Sequence, residues 1–127
     1  MTNRARLALW VAFGFAIVVQ LVVLYVPSAP SGPGIPGFDK LVHAGIFLVP
    51  AVLGVLAGAR VVWLAAVLAV HAFASEALQH LLLPERAGDV WDVVADLAGL
   101  ALGLAIGLGA QHLARGRRRD AAHRGAP

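Results

Sequence analysis

The chain contains no cysteine, so neither a disulfide framework nor a thiolate metal site can be built from it. Charge is also scarce. Asp, Glu, Lys and Arg make up 13% of the 127 residues, against about 25% in an ordinary soluble domain. That is too little polar surface to cover a water-soluble fold. Several catalytic signatures are missing as well: there is no H-E-x-x-H pair, no Gly-rich phosphate loop, and no nucleophile elbow around Ser75. The sequence therefore offers no metal site and implies no cofactor. What is present is apolar: 60% of the residues are hydrophobic, in a length that suits one domain, residues 1–127. The net charge of +3 comes from basic residues at chain ends beside apolar segments. That placement fits a membrane surface rather than nucleic acid.

A helix needs about 20 mostly apolar residues to cross the hydrocarbon core. Four segments qualify, over about 7–26, 41–59, 61–83 and 90–113. The fold expected is an all-α membrane protein, a four-transmembrane-helix bundle. Although Arg4 and Arg6 precede the first segment, its apolar run is too long for a signal peptide, and Pro30 follows the only small-residue site. It reads as a retained span.

Orientation follows from the basic residues. Arg4, Arg6, Arg60, Arg115, Arg117, Arg118, Arg119 and Arg124 fall on one side, and only Lys40 and Arg86 on the other. The positive-inside rule then places both termini in the cytoplasm. Trp10 and Trp63 near the inner ends, with Tyr25 and Trp91 near the outer ends, suit the headgroup region. Between the first two spans, Pro27, Pro30, Pro33 and Pro36 recur every third residue, which predicts an extended polyproline-like link. Residues 114–127 read as a basic cytoplasmic tail without helix.

The polar residues collect at one depth. Asp39, Glu76, Glu85, Asp89, Asp92 and Asp96 map to the outer half, and only Asp120 lies inside. Lys40, His43, Gln79, His80 and Arg86 share the outer level. A charge at the centre of a span costs about 2.5–3.5 kcal/mol or more, so Glu76 and Asp96 should face the bundle interior or a wet cleft. At about 100° per residue, Asp89, Asp92 and Asp96 share one face of the fourth span, continued inward by Gly99, Gly103 and Gly107. That glycine pattern lets a second helix approach closely, within the bundle or in a homo-oligomer. On the second span His43, Phe47, Pro50 and Gly54 align; on the third, Ser75, Glu76 and Gln79 share a broad face. The residues expected to form one outward-facing binding cluster are Asp39, Lys40, His43, Glu76, Gln79, Arg86, Asp92 and Asp96. Such a cluster could hold a polar headgroup, a cation, or only itself. His71, near mid-membrane, reads as a neutral imidazole bonded to a neighbouring helix.

Three elements in order resemble the VanZ-like family of bacterial integral membrane proteins. They are Asp39-Lys40-x-x-His43, Glu76-x-x-Gln79, and Pro84-x-Arg86 followed by Asp92-x-x-x-Asp96-x-x-Gly99-x-x-x-Gly103. The likeness covers roughly residues 38–107. It departs at Asp96, where the family usually has Asn. The resemblance implies a multi-pass protein of the bacterial cytoplasmic membrane, associated through the family's name with low-level resistance to the glycopeptide teicoplanin. It implies no enzyme class. A non-enzymatic protein binding a lipid-linked cell-wall precursor or a glycopeptide, a membrane enzyme acting on a lipid-linked headgroup, and a small transporter or assembly partner all stay open.

Overall fold

A computed structural model describes residues 1–26, 35–82 and 89–124. Its described residues form four helices and no strand: α1 (Asn3–Tyr25), α2 (Phe38–Ala57), α3 (Val61–Leu82) and α4 (Val90–Arg124). Each end has a local cause. The Thr2 hydroxyl accepts from Ala5 N at 3.3 Å and caps α1. Gly58 stops α2 in a left-handed conformation, φ 91°. There Gly58 N donates to Val55 O (3.0 Å) and Ala59 N to Gly54 O (2.9 Å), the paired bonds of a Schellman cap. Two residues later α3 begins, so α2 and α3 are antiparallel neighbours.

All four helices are long and apolar enough to cross a bilayer, and the chain is a multi-pass membrane protein. Its exposed surface says the same. Leu7, Val11, Phe15, Val18 and Val22 form an outward stripe on α1, and Val62, Val67, Val70 and Phe73 form one on α3. Their three- to five-residue spacing keeps each set on one broad helix face, where lipid and not water is the natural cover.

Helix α2 is the hub. It packs on α1, α3 and α4, whereas α1 and α4 do not touch among the described residues. The core holds Leu24, Phe47, Ala51, Val55, Leu64, Leu68, Ala72 and Leu100. The α2–α4 seam is tight because α4 turns three glycines toward α2. A Cβ on Gly99 would run into the Ala44 carbonyl oxygen, one on Gly103 would sit 2.5 Å from Leu48 O, and one on Gly107 2.8 Å from Val55 Cβ. The expected glycine face thus packs inside the bundle.

Two expectations need correction. Helix α4 does not give way to a tail after residue 113; it continues to Arg124. The segment read as a tail is rich in Ala and Arg, both good helix formers, and Gly116 costs only about 1 kcal/mol. The span ends also shift by a few residues, α1 beginning at Asn3 and α2 at Phe38. The polyproline link lies largely in 27–34, outside the described residues, and Pro36 lies in a turn.

Candidate functional site

The C-terminal ends of α1 and α3 meet the N-terminal ends of α2 and α4 at one end of the bundle. Cross-helix bonds fix this arrangement. Gln79 Nε2 donates to Leu24 O at 2.8 Å, and Tyr25 Oη lies 3.3 Å from His71 Nε2. The first ties α3 to the backbone of the last turn of α1. The second places His71 against a neighbouring helix, as expected, with the Phe47 ring tilted beside it at 5.8 Å between ring centres.

At this end the polar side chains converge. Lys40, on the first turn of α2, points its ammonium into a cradle of three carboxylates. Nζ donates to Asp39 Oδ2 at 2.9 Å, Asp89 Oδ2 at 2.8 Å and Asp92 Oδ1 at 2.5 Å. An ammonium has three N–H donors, and all three are used. One turn deeper on α2, His43 Nδ1 lies 3.0 Å from Asp96 Oδ1, and its Nε2 faces Asp92 Oδ2 at 3.9 Å. From α3, Glu76 Oε1 accepts the backbone N–H of Asp89. Asp89 Oδ1 in turn accepts from Trp91 N at 3.0 Å and caps the start of α4.

Burial deepens in steps along this chain of groups. Side-chain exposure falls from 61% at Asp39 through 42% at Asp89 and 12% at Asp92 to zero at Asp96. The cluster therefore runs from the bundle's rim to its interior. At the rim, the bond from Lys40 holds the Asp89 carboxyl below its ordinary value, and the Trp91 N–H adds to the effect.

Among the described residues, acidic groups outnumber basic ones here. Asp39, Glu76, Asp89, Asp92 and Asp96 face Lys40 and one imidazole. Two buried carboxylate oxygens, Glu76 Oε2 and Asp96 Oδ2, have no hydrogen-bond partner. An unmet buried acceptor costs about 1–3 kcal/mol, more when charged. Among the described residues no group of three or more His, Asp or Glu is arranged to hold a metal ion; the three carboxylates that converge do so on the Lys40 ammonium.

Of the eight residues expected in the cluster, the structure brings six together: Asp39, Lys40, His43, Glu76, Asp92 and Asp96. Gln79 is a correction. It shares the depth of the cluster but turns toward α1, where it satisfies Leu24 O. Its face-mate Ser75 bonds back to Ala72 O at 3.0 Å, so Glu76 alone of that trio joins the cluster, through the backbone N–H of Asp89. Arg86 lies outside the described residues. Sequence reasoning left out Asp89, which touches both Lys40 and Glu76. The signal was its shared face with Asp92 and Asp96. It also missed Gln20, wholly buried on α1 with both amide atoms unpartnered.

Fold and site together define a four-helix, multi-pass membrane protein with a carboxylate-rich cluster at one end of its bundle. No protein-family model matches the chain, and neither does any curated protein or solved structure.

Proposed function

We propose that this chain is a VanZ-like protein of the bacterial cytoplasmic membrane that binds a polar or lipid-linked headgroup at the carboxylate-rich end of its bundle. In this reading it makes or breaks no bond and contributes to glycopeptide resistance by altering access to a cell-wall precursor. The observation that carries it is the convergence of Lys40, His43, Glu76, Asp92 and Asp96 from three helices, with burial rising inward. Ionisable groups within spans are expensive and mark ligand sites by default. The excess of basic residues near the opposite ends of the helices orients the cluster outward under the positive-inside rule, with both termini in the cytoplasm. The resemblance over 38–107 supplies the link to glycopeptides.

The test is complementation of a deletion strain with wild type, Glu76→Ala and Asp92→Ala at matched membrane abundance, scored for teicoplanin and vancomycin susceptibility. Both variants should lose the resistance increment. Unchanged susceptibility in both rejects the reading.

One observation favours a second reading, a membrane enzyme acting on the same headgroup. His43 is oriented by a fully buried Asp96 through Nδ1, and its Nε2 is not in hydrogen-bond contact with Asp92. An imidazole held this way can take a proton from a hydroxyl. Purified protein that leaves lipid-linked precursors chemically unaltered counts against it.

A further inference from the structure

The charge and hydrogen-bond pattern of the cluster selects among headgroups. We infer that the site takes a primary ammonium, presented by a lipid headgroup, which exchanges with the Lys40 side chain in the carboxylate cradle. This rests on the headgroup-binding reading above and narrows it.

Three observations carry the assignment. First, the cradle already holds an ammonium: Lys40 Nζ spends one N–H on each of Asp39, Asp89 and Asp92. The arrangement is matched to a compact cation with three N–H donors. A quaternary ammonium brings the charge without the donors, and a phosphate brings only acceptors. Second, the described cluster carries five carboxyl groups against one lysine and one histidine, so an anionic headgroup meets repulsion. Third, Asp96 is wholly buried with Oδ2 unpartnered, and the buried Glu76 Oε2 is unpartnered too. Acceptor capacity on this cluster exceeds what the protein's own donors fill. The three carboxylates that focus on one point do so on an ammonium, each accepting one N–H.

Access is from the rim. Asp39 and Asp89 keep 61% and 42% of their side-chain surface exposed, and Lys40 keeps 30%. Lysine on a flexible four-carbon stem can swing out and leave the cradle to a competitor. A lipid headgroup at the bilayer surface has the advantage of high local concentration over a soluble amine.

The full chain in detergent micelles tests this. Short-chain phosphatidylethanolamine, phosphatidylcholine and phosphatidylglycerol with identical acyl chains are titrated in, and binding is counted by native mass spectrometry. Phosphatidylethanolamine should bind about tenfold tighter than the other two, as expected for loss of one or two charge-assisted hydrogen bonds. Asp92→Asn should remove most of that gap. Asp39→Asn, at an exposed rim position that the fold does not need, should narrow it about threefold, a share of one such bond. Lys40→Met, which empties the cradle, should widen it. Free ethanolamine at high concentration should displace the bound lipid, identifying the ammonium as the recognised group. Equal binding of the ethanolamine and choline lipids, preference for the glycerol lipid, an unchanged gap in both Asp variants, or no displacement by ethanolamine each overturns the assignment. Loss of resistance in Glu76→Ala combined with equal lipid binding sinks the ammonium assignment alone. Ethanolamine preference without any resistance phenotype sinks the glycopeptide role alone.

Discussion

The α2–α4 interface has two halves that meet between Asp96 and Gly99, and they are built on opposite terms. Below that boundary, Gly99, Gly103 and Gly107 lay bare backbone against Ala44, Leu48 and Val55, and the contact is closed to a single added carbon. Above it, the same two helices present Lys40, His43, Asp92 and Asp96, with surplus negative charge and an acceptor left unmet. The lower half does what packing requires. The upper half leaves a buried acceptor unmet, which costs stability that packing has to offset. A strip of a few turns on one helix thus separates the part that holds the bundle together from the part available for recognition.

That contrast can be broken most forcefully at its lower side. Gly99→Leu drives a side chain into the Ala44 carbonyl, a rigid partner, so α2 and α4 must separate. We expect a loss above about 3 kcal/mol, beyond ordinary overpacking, read as low membrane abundance and a collapsed thermal midpoint in detergent. On the upper side the response should depend on chemistry rather than volume. Asp96→Ala strips His43 Nδ1 of its buried partner and should cost about 1–3 kcal/mol. Asp96→Asn keeps an acceptor for the ring and puts a donor where an oxygen is unpaired, so thermal unfolding should stay within about 1 kcal/mol of wild type. Equal losses in both variants would make this position a packing site like Gly99.

Gln20 sharpens the comparison from α1. Its amide is fully buried without a partner, far from any role in the cluster's bonds. Gln20→Leu should therefore raise stability by about 1 kcal/mol, seen as a higher midpoint at unchanged lipid binding. The smallest effect is at the rim. Folding lowers the Asp89 pKa through its bond to Lys40, so that contribution is complete above the unfolded carboxylate value of about 3.9 and is lost as pH falls through the folded value. Asp89→Asn should flatten the acid side of the stability profile and leave the slope between about pH 6 and 8 untouched.

The helices were legible because length and hydropathy are local properties. The run Leu7 to Val26 has no charge within it, and a helical period alone puts His43, Phe47, Pro50 and Gly54 on one buried face. Depth was legible for the same reason, and depth brought six of eight expected cluster residues to one place. Direction was not. Gln79 lies at the cluster's level, yet its amide turns to the carbonyl of Leu24 on α1, more than fifty residues away in sequence. No spacing rule announces a partner on another helix. Nor does sequence reveal that Lys40 would spend all three donors on Asp39, Asp89 and Asp92. The glycine face was recognisable as a packing surface, but whether its partner was α2 or a second copy depended on the tertiary arrangement. The helix after Leu113 was not legible because arginine clusters suggest a disordered tail, although arginine favours helix and α4 runs on.

The meeting of α2 and α4 at the charged end is tested most directly by a double-mutant cycle on Lys40→Met and Asp92→Asn, measured by thermal unfolding of the full chain in micelles. The part-buried bond between them predicts a coupling of about 1 kcal/mol, the two single losses exceeding the double loss by that amount. Strict additivity would mean that the two side chains do not meet, and the cluster described above would not exist.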